Sequence, residues 1–162
     1  KEKQELIDKQ KKELDLYAPI TGKLIDITEV KDQVFSQKIL GDGIAIEPKE
    51  GVLYAPCDCE VVQLFHTLHA IGLKAKDVEL LVHIGMDTVE LNGEGFKGFV
   101  NEGDHVKKGQ KLIEFDIDYI KSQGKEATTP IVITNMDAVK SLNKSEAKDI
   151  VANQDIALKI NL

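Results

Sequence analysis

Two histidines are the residues of this sequence whose type and surroundings could do chemistry. His83 lies within residues 78–89, and His69 lies a short way before it, within residues 65–73. A neutral imidazole offers a lone pair to an electrophile or a metal, and its charge changes near neutral pH. Thr67 lies just before His69. The sequence therefore offers two imidazoles and a hydroxyl group that could belong to one site.

Residues 78–85 alternate in polarity, which predicts a β-strand. One face of this strand carries side chains suited to a core, namely Val78, Leu80, Val82 and Ile84. The opposite face carries His83 beside the apolar Leu81. If residues 65–69 also form a strand, its alternation places three side chains on one face: Phe65, Thr67 and His69. Pairing of the two strands would present both imidazoles, the hydroxyl group and exposed apolar side chains on a surface, where another protein could meet them.

Composition predicts a single globular domain of 162 residues with a real core, because 42% of the residues are hydrophobic and 30% are charged. A net charge of −7 argues against nucleic-acid binding and suits either a basic protein partner or simple solubility. No apolar run approaches the roughly 20 residues of a membrane helix, and no signal peptide is recognisable. The chain begins with Lys1 rather than Met. We therefore expect a cytoplasmic domain excised from a longer protein.

Short apolar runs separated by Gly, Pro, Asn and Asp predict an all-β fold, an antiparallel sandwich or barrel. The expected strands include residues 22–27, 43–46, 60–65, 111–115, 130–134 and 155–160. Helical turns are expected only near residues 116–121 and 137–148. Residues 1–16 are mostly charged, and we interpret them as a linker or tether that precedes a domain at residues 17–162. Residues 17–27 and 54–64 share an Ala-Pro start and echo each other, which suggests a duplicated hairpin.

Cys57 and Cys59 are separated only by Asp58. Side chains two residues apart on a strand project in parallel, which is an awkward geometry for a disulfide, so we expect reduced thiols. A zinc site made of both cysteines with His66 and His69 is the sharper alternative. Its spacing does not match the usual zinc finger.

The motifs together resemble the glucose-family enzyme IIA domain of the bacterial phosphoenolpyruvate:sugar phosphotransferase system. The most specific match is the run Glu-Leu-Leu-Val-His-Ile-Gly-Met-Asp-Thr-Val-Glu-Leu at residues 79–91. His-Ala-Ile-Gly-Leu at residues 69–73 and Thr-Pro-Ile-Val-Ile-Thr-Asn at residues 129–135 add to it. The resemblance covers residues 17–162 and implies an antiparallel β sandwich with a duplicated hybrid motif. It also implies relay of a phosphoryl group.

The resemblance assigns roles to five residues of the expected site. It implies that His83 is phosphorylated on Nε2 while the carbonyl of Gly85 accepts a hydrogen bond from the protonated Nδ1. It implies that His69 and Thr67 stabilise the phosphoryl group in transit. Asp87 would brace the following turn or meet the partner. Cys59 stands where relatives usually have glycine, and His66 and His105 fall outside the implied site.

The resemblance also implies two protein partners and an apolar docking surface around the histidines. The donor would be the histidine phosphocarrier protein HPr, and the acceptor a IIB domain of a sugar permease to which this domain could be fused. Metal and cofactor are not implied, because the phosphoryl group arrives already activated. The expected docking residues are Val34, Phe35, Ile39, Leu40, Phe65, Leu81 and Val89.

Two alternatives come from other functional classes. A zinc hydrolase would need three protein ligands and a water at one site, but its His-x-His pair and spaced Asp are absent. A lipoyl-type carrier would need a lysine at a hairpin tip in a context such as Asp-Lys-Ala, which is also absent.

Overall fold

A computed structural model describes residues 12–162, and within them the chain forms fourteen strands and two short α-helices. The helices are α1 (Gln33–Ser36) and α2 (Ile117–Ser122), and 3-10 turns cover Ile27–Glu29, Thr88–Leu91 and Met136–Ala138. None of the helices described is long and apolar enough to cross a membrane. The strands are β1 (Glu13–Tyr17), β2 (Gly22–Asp26), β3 (Asp42–Pro48), β4 (Val52–Tyr54), β5 (Cys59–Leu64), β6 (Ala70–Ala75), β7 (Val78–His83), β8 (Phe96–Gly98), β9 (His105–Val106), β10 (Lys111–Phe115), β11 (Thr129–Ile133), β12 (Ser141–Lys144), β13 (Asp149–Ile150) and β14 (Ile156–Asn161).

The strands form three antiparallel sheets around one main core. The largest sheet has the order β13-β2-β3-β11-β7-β6-β5-β9, and the two smaller sheets have the orders β1-β14-β12 and β4-β10-β8. Each sheet contributes buried side chains to the same cluster, for example Leu158, Ile113 and Val82. The predicted antiparallel β sandwich is therefore confirmed. Strand β7 lies inside the largest sheet between β6 and β11, so its position is fixed from both sides.

The sequence echo corresponds to a reciprocal contact between two similar turns. The N–H of Tyr17 donates to the carbonyl of Pro56 at 2.9 Å, and the N–H of Tyr54 donates to the carbonyl of Pro19 at 2.8 Å. Tyr17 ends β1 and Tyr54 ends β4. The two related segments therefore face each other, as expected of a duplicated motif.

The expected boundary between tether and domain is wrong for the residues just before Tyr17. Glu13–Tyr17 pairs with β14 as an outer strand, and Leu14 and Leu16 are buried in the main core. These leucines alternate with Glu13 and Asp15, which is the period of a strand rather than of a helix. The rest of the predicted tether, residues 1–11, lies outside the described residues.

The two expected helical regions have different outcomes. Helix α2 forms where it was predicted, and Asp116 caps it by accepting a hydrogen bond from the N–H of Tyr119. Residues 137–148 contain only the end of a 3-10 turn, after which β12 pairs with β14. Leu142 packs there against the core cluster, so tertiary pairing overrides the local helical tendency.

Candidate functional site

His83 is the last residue of β7, and its ring is held by the backbone that follows it. The apolar face of this segment is buried as predicted, including Ile84 directly after the histidine. The Nδ1 atom of His83 lies 2.7 Å from the carbonyl oxygen of Gly85. A carbonyl can only accept, so Nδ1 carries the proton in this hydrogen bond. The lone pair of the neutral ring is therefore on Nε2.

His69 lies against His83 although it does not belong to a strand. The predicted strand over residues 65–69 is wrong, because β5 ends at Leu64 and β6 begins at Ala70. Leu68 adopts a left-handed conformation with φ of 59°, which turns the chain back on itself. Ala70 is paired with His83, and the ring centroids of His69 and His83 are 5.0 Å apart at 82°.

The turn still brings together the side chains that were expected to share a strand face. The Oγ1 atom of Thr67 lies 2.5 Å from Nδ1 of His69, and both residues are buried. The ring of Phe65 lies 5.3 Å from that of His69, and the ring of Phe35 lies 5.3 Å from that of His83. Four rings therefore form a row, in the order Phe35, His83, His69 and Phe65.

The surroundings keep both imidazoles neutral near pH 7. Burial, with a smaller contribution from positive charge on His83 and His66, lowers the pKa of His69 to about 4. Burial also lowers the pKa of His83. The hydrogen bond to the Gly85 carbonyl and the negative charges of Asp32 and Asp87 act in the opposite direction. A neutral ring is the form that can act as a nucleophile.

Gly85 occupies a position that only glycine can fill. Its φ is 78°, and a Cβ atom there would lie 2.5 Å from Cγ2 of Thr88 and 2.7 Å from the carbonyl oxygen of Glu126. The glycine therefore lets the chain turn tightly enough for its carbonyl to reach the ring of His83. Asp87 follows in a left-handed conformation with φ of 58°, and its side chain does not cap the next 3-10 turn. Asp87 is exposed and acts on His83 through its charge.

Most of the expected docking residues are accessible. Ile39 is 65% exposed, and Val34, Leu40 and Val89 are exposed as well. Phe65 and Leu81 are half-buried. Asp32 and Asp87 supply negative charge close to His83, and Leu81 lies on the same strand, β7.

Phe35 is the exception, and the expectation that it is a surface residue is wrong. It is 4% exposed and belongs to a second core cluster with Ile27, Val30, Ala45, Met86 and Val132. Asp32 caps α1 by accepting from the N–H of Val34, and the short helix turns Val34 outward and Phe35 inward. The ring of Phe35 therefore packs against the ring of His83 from the side of the second core cluster.

Sequence reasoning missed two residues that act on the site. Asp32 lies close enough to raise the pKa of His83, and its position before a short apolar helix is a recognisable capping signal. Thr88 donates a hydrogen bond to the carbonyl of Ile84 at 2.5 Å. The sequence carries no signal for this contact, because it depends on the tight turn at Gly85.

The zinc alternative has no ligand set in the part of the chain that the structure describes. Within residues 12–162, no group of three or more His, Cys, Asp or Glu side chains is arranged to hold a metal ion. Cys57 and Cys59 are free thiols in the main core. His66 and His105 are exposed, and His105 lies 3.7 Å from Glu60.

Residues 14–139 match the family model described as phosphoenolpyruvate-dependent sugar phosphotransferase system, EIIA 1. The chain is 47% identical over 148 residues to the glucose-specific EIIA component of Bacillus anthracis, covering 91% of this chain and 90% of that protein. It is also 47% identical over 143 residues to the glucose-specific EIICBA component of Staphylococcus saprophyticus, covering 88% of this chain and 21% of that longer protein.

A solved structure with a similar fold is the glucose permease IIA from Mycoplasma capricolum. Its TM-score is 0.85 at 37% identity, over 91% of this chain and 96% of the other. The range matched by the family model, residues 14–139, includes both histidine-bearing segments. On this evidence the chain belongs to the EIIA 1 family of the phosphoenolpyruvate-dependent sugar phosphotransferase system.

Proposed function

We propose that His83 accepts a phosphoryl group on Nε2 from the histidine phosphocarrier protein HPr and passes it to a IIB domain of a sugar permease. The observation that carries this proposal is the hydrogen bond from Nδ1 of His83 to the Gly85 carbonyl, at 2.7 Å. It leaves Nε2 as the nucleophilic atom at the edge of a surface. Membership of the EIIA 1 family supplies the reaction class, phosphoryl transfer.

The first transfer moves one phosphoryl group between two histidines. The Nε2 lone pair of His83 attacks phosphorus, a bond from Nε2 to phosphorus forms, and the bond from phosphorus to the donor nitrogen breaks. The donor ring recovers its lone pair. The phosphorylated ring of His83 keeps the proton on Nδ1, and the Gly85 carbonyl stabilises the positive charge that the ring then carries. Metal and nucleotide are not needed, because the donor bond is already activated.

The second transfer reverses these events toward a sulfur nucleophile. A cysteine thiolate of the IIB domain attacks phosphorus, and the bond from phosphorus to Nε2 of His83 breaks. The ring returns to its neutral form with the proton still on Nδ1, which donates it in the hydrogen bond to the Gly85 carbonyl. Retention of one tautomer through both steps means that no proton has to move between the ring nitrogens.

His69 is suited to stabilise the phosphoryl group during both transfers. If the hydroxyl of Thr67 donates to Nδ1 of His69, then His69 carries its proton on Nε2. The buried ring is neutral, and it lies 5.0 Å from the ring of His83. The Nε2–H group can then donate to a phosphoryl oxygen as negative charge gathers on it. Thr67 would orient that donor.

The charges around His83 favour basic partners. Asp32 and Asp87 both act electrostatically on His83, and the whole chain carries a net charge of −7. A phosphoryl group at this position adds negative charge beside two carboxylates, so a partner with cationic side chains offsets the repulsion. Two successive partners with a basic docking face fit this surface.

The exposed apolar side chains provide the contact area for a weak and reversible complex. Val34, Ile39, Leu40 and Val89 are exposed, and Phe65 and Leu81 are half-buried. A carrier that meets a donor and then an acceptor needs a modest apolar patch that releases quickly. The EIICBA relative, in whose name components B and C accompany A, supports a permease partner and tethering of this domain at the membrane. We place the domain on the cytoplasmic side, where HPr would meet it.

Reconstitution with labelled phosphoenolpyruvate, enzyme I and HPr tests the proposal. The wild-type chain should take up acid-labile label, and His83→Ala should take up none while remaining folded. His105→Ala, which changes an exposed histidine on β9, is the control and should behave as wild type. Full labelling of the His83→Ala variant, or no labelling of the wild type with active HPr, would refute the assignment.

A further inference from the structure

Three successive peptide units after His83 are each held by a hydrogen bond from another part of the chain. The N–H of Ile84 donates to the carbonyl of His69 at 2.6 Å. The carbonyl of Ile84 accepts from Oγ1 of Thr88 at 2.5 Å. The N–H of Met86 donates to the carbonyl of Glu126 at 2.9 Å. Each bond lies on a different peptide, so the backbone leaving the strand is fixed step by step.

The third peptide in this series is the one that contacts the ring of His83. The carbonyl of Gly85 and the N–H of Met86 belong to one planar unit. On one edge the unit donates to Glu126, and on the other it accepts from Nδ1 of His83. Rotation of this plane would lengthen both bonds together. The direction of the Gly85 carbonyl is set by these two bonds and by the orientation of the preceding peptide, between Ile84 and Gly85.

Glycine by itself does not fix that conformation, because it reaches many φ and ψ values at similar cost. Thr88 restricts it through its hydroxyl, which donates to the carbonyl of Ile84 and so fixes the peptide that leads into Gly85. Thr88 is fully buried, so water does not compete for the hydroxyl.

We propose that Thr88 is a positioning residue for phosphoryl transfer, which holds the Gly85 carbonyl in line with Nδ1 of His83 and so keeps the nucleophilic lone pair on Nε2. This inference rests on the proposed function of His83. Without the hydroxyl, the turn gains freedom and the Gly85 carbonyl no longer selects one tautomer. Both ring nitrogens then share the proton, and the fraction of His83 that can attack through Nε2 falls.

A purely structural role is the alternative, since Thr88 also begins the 3-10 turn Thr88–Leu91. In that case its hydroxyl would stabilise the fold without selecting the tautomer. Thr129 provides a matched control, because it is equally buried and donates to the carbonyl of Ala127 at 2.9 Å. Replacement of either threonine by valine removes one buried hydroxyl and keeps the shape of the side chain.

The test compares Thr88→Val, Thr88→Ser and Thr129→Val by nitrogen NMR of the ¹⁵N-histidine-labelled protein and by labelling kinetics from phosphorylated HPr. We expect Thr88→Val to show a mixture of His83 tautomers and about tenfold slower phosphorylation. Thr88→Ser keeps the hydroxyl and should show the wild-type tautomer and the wild-type rate. Thr129→Val should show the wild-type tautomer even if it lowers the stability of the domain. If Thr88→Val fails to fold, the Thr88→Ser spectrum and its comparison with Thr88→Ala carry the same test.

The two readouts separate failure of this inference from failure of the proposed function. Absence of phosphorylation in the wild type would refute the proposed function. The effect of Thr88 on the His83 tautomer could still be measured by NMR, because that measurement does not require phosphorylation. A wild-type tautomer and wild-type rate in folded Thr88→Val, or in folded Thr88→Ala where the valine variant does not fold, would overturn the positioning role.

Discussion

The two histidine-bearing segments reach the same point of the molecule by different means. His83 ends a regular strand inside the largest sheet, is half-buried, and bonds to a backbone carbonyl. His69 lies in an irregular turn, is 5% exposed, and bonds to a side-chain hydroxyl. The strand leaves the ring of His83 partly accessible, and the turn holds the buried ring of His69 against it. A site that meets partners needs an accessible nucleophile, and a buried neutral ring beside it supplies a donor at low dielectric.

The largest expected effect concerns Phe35, the core residue whose ring packs against the ring of His83. Phe35 is 4% exposed and Val34 is 40% exposed, although they are adjacent in α1. Phe35→Asp places an unpaired carboxylate in the second core cluster and removes a large buried ring, so we expect a loss of at least about 3 kcal/mol in the free energy of unfolding. Urea denaturation of the purified domain measures this loss.

Val34→Asp is the matched control, because it adds the same charge one residue earlier on the exposed side. It should change the free energy of unfolding by less than about 1 kcal/mol. It should instead raise the apparent KM for phosphorylated HPr, because the carboxylate loses water on docking without gaining a partner. Equal destabilisation by the two changes would contradict the assignment of Phe35 to the core and Val34 to the docking surface.

Burial of His69 predicts a pH dependence of stability. Burial lowers its pKa from 6.5 to about 4, so between these values the unfolded chain binds a proton that the folded chain does not. The free energy of unfolding should therefore fall as pH falls through this window, by at most about 3 kcal/mol from this residue. His69→Gln should remove that part of the loss.

Urea denaturation at a series of pH values from 7 to 4 provides the measurement. His105→Gln, which changes an exposed histidine, should keep the wild-type pH dependence. If His69→Gln and the wild type lose stability in parallel over this range, the folded protein protonates His69 as easily as the unfolded chain does. The contrast between a buried and an accessible histidine would then fail.

The smallest expected effect separates the roles of the two rings in transfer. His69→Gln keeps a donor of similar reach but loses the imidazole, so His83 should still accept a phosphoryl group. Transfer onward to the IIB domain should slow by about tenfold, which corresponds to about 1.4 kcal/mol of transition-state stabilisation. Thr67→Val should slow it less, since it removes only the partner of Nδ1. Rapid-quench kinetics in both directions check this, and unchanged rates would leave His69 a structural residue.

Alternation in the sequence predicted β7 and the partly exposed position of His83, because side chains of a regular strand point alternately to its two faces and one face is buried. The turn at residues 65–69 carries no such period, and its left-handed residue is Leu68 rather than glycine. Phe35 was misplaced for a related reason, since α1 spans only Gln33–Ser36 and has too few residues to show a helical stripe. Leu14 and Leu16 were assigned to a tether because their pairing strand, β14, lies at the far end of the sequence.

The central claim, that Nε2 of His83 is the phosphoryl acceptor, is tested most directly by identifying the phosphohistidine isomer. Phosphorus and nitrogen NMR of the ¹⁵N-histidine-labelled domain, phosphorylated by HPr, assigns phosphorus to one nitrogen of one ring. The hydrogen bond from Nδ1 of His83 to the Gly85 carbonyl predicts coupling of phosphorus to Nε2 of His83, with Nδ1 still protonated. Phosphorus on Nδ1 of His83, or on either nitrogen of His69, would contradict it.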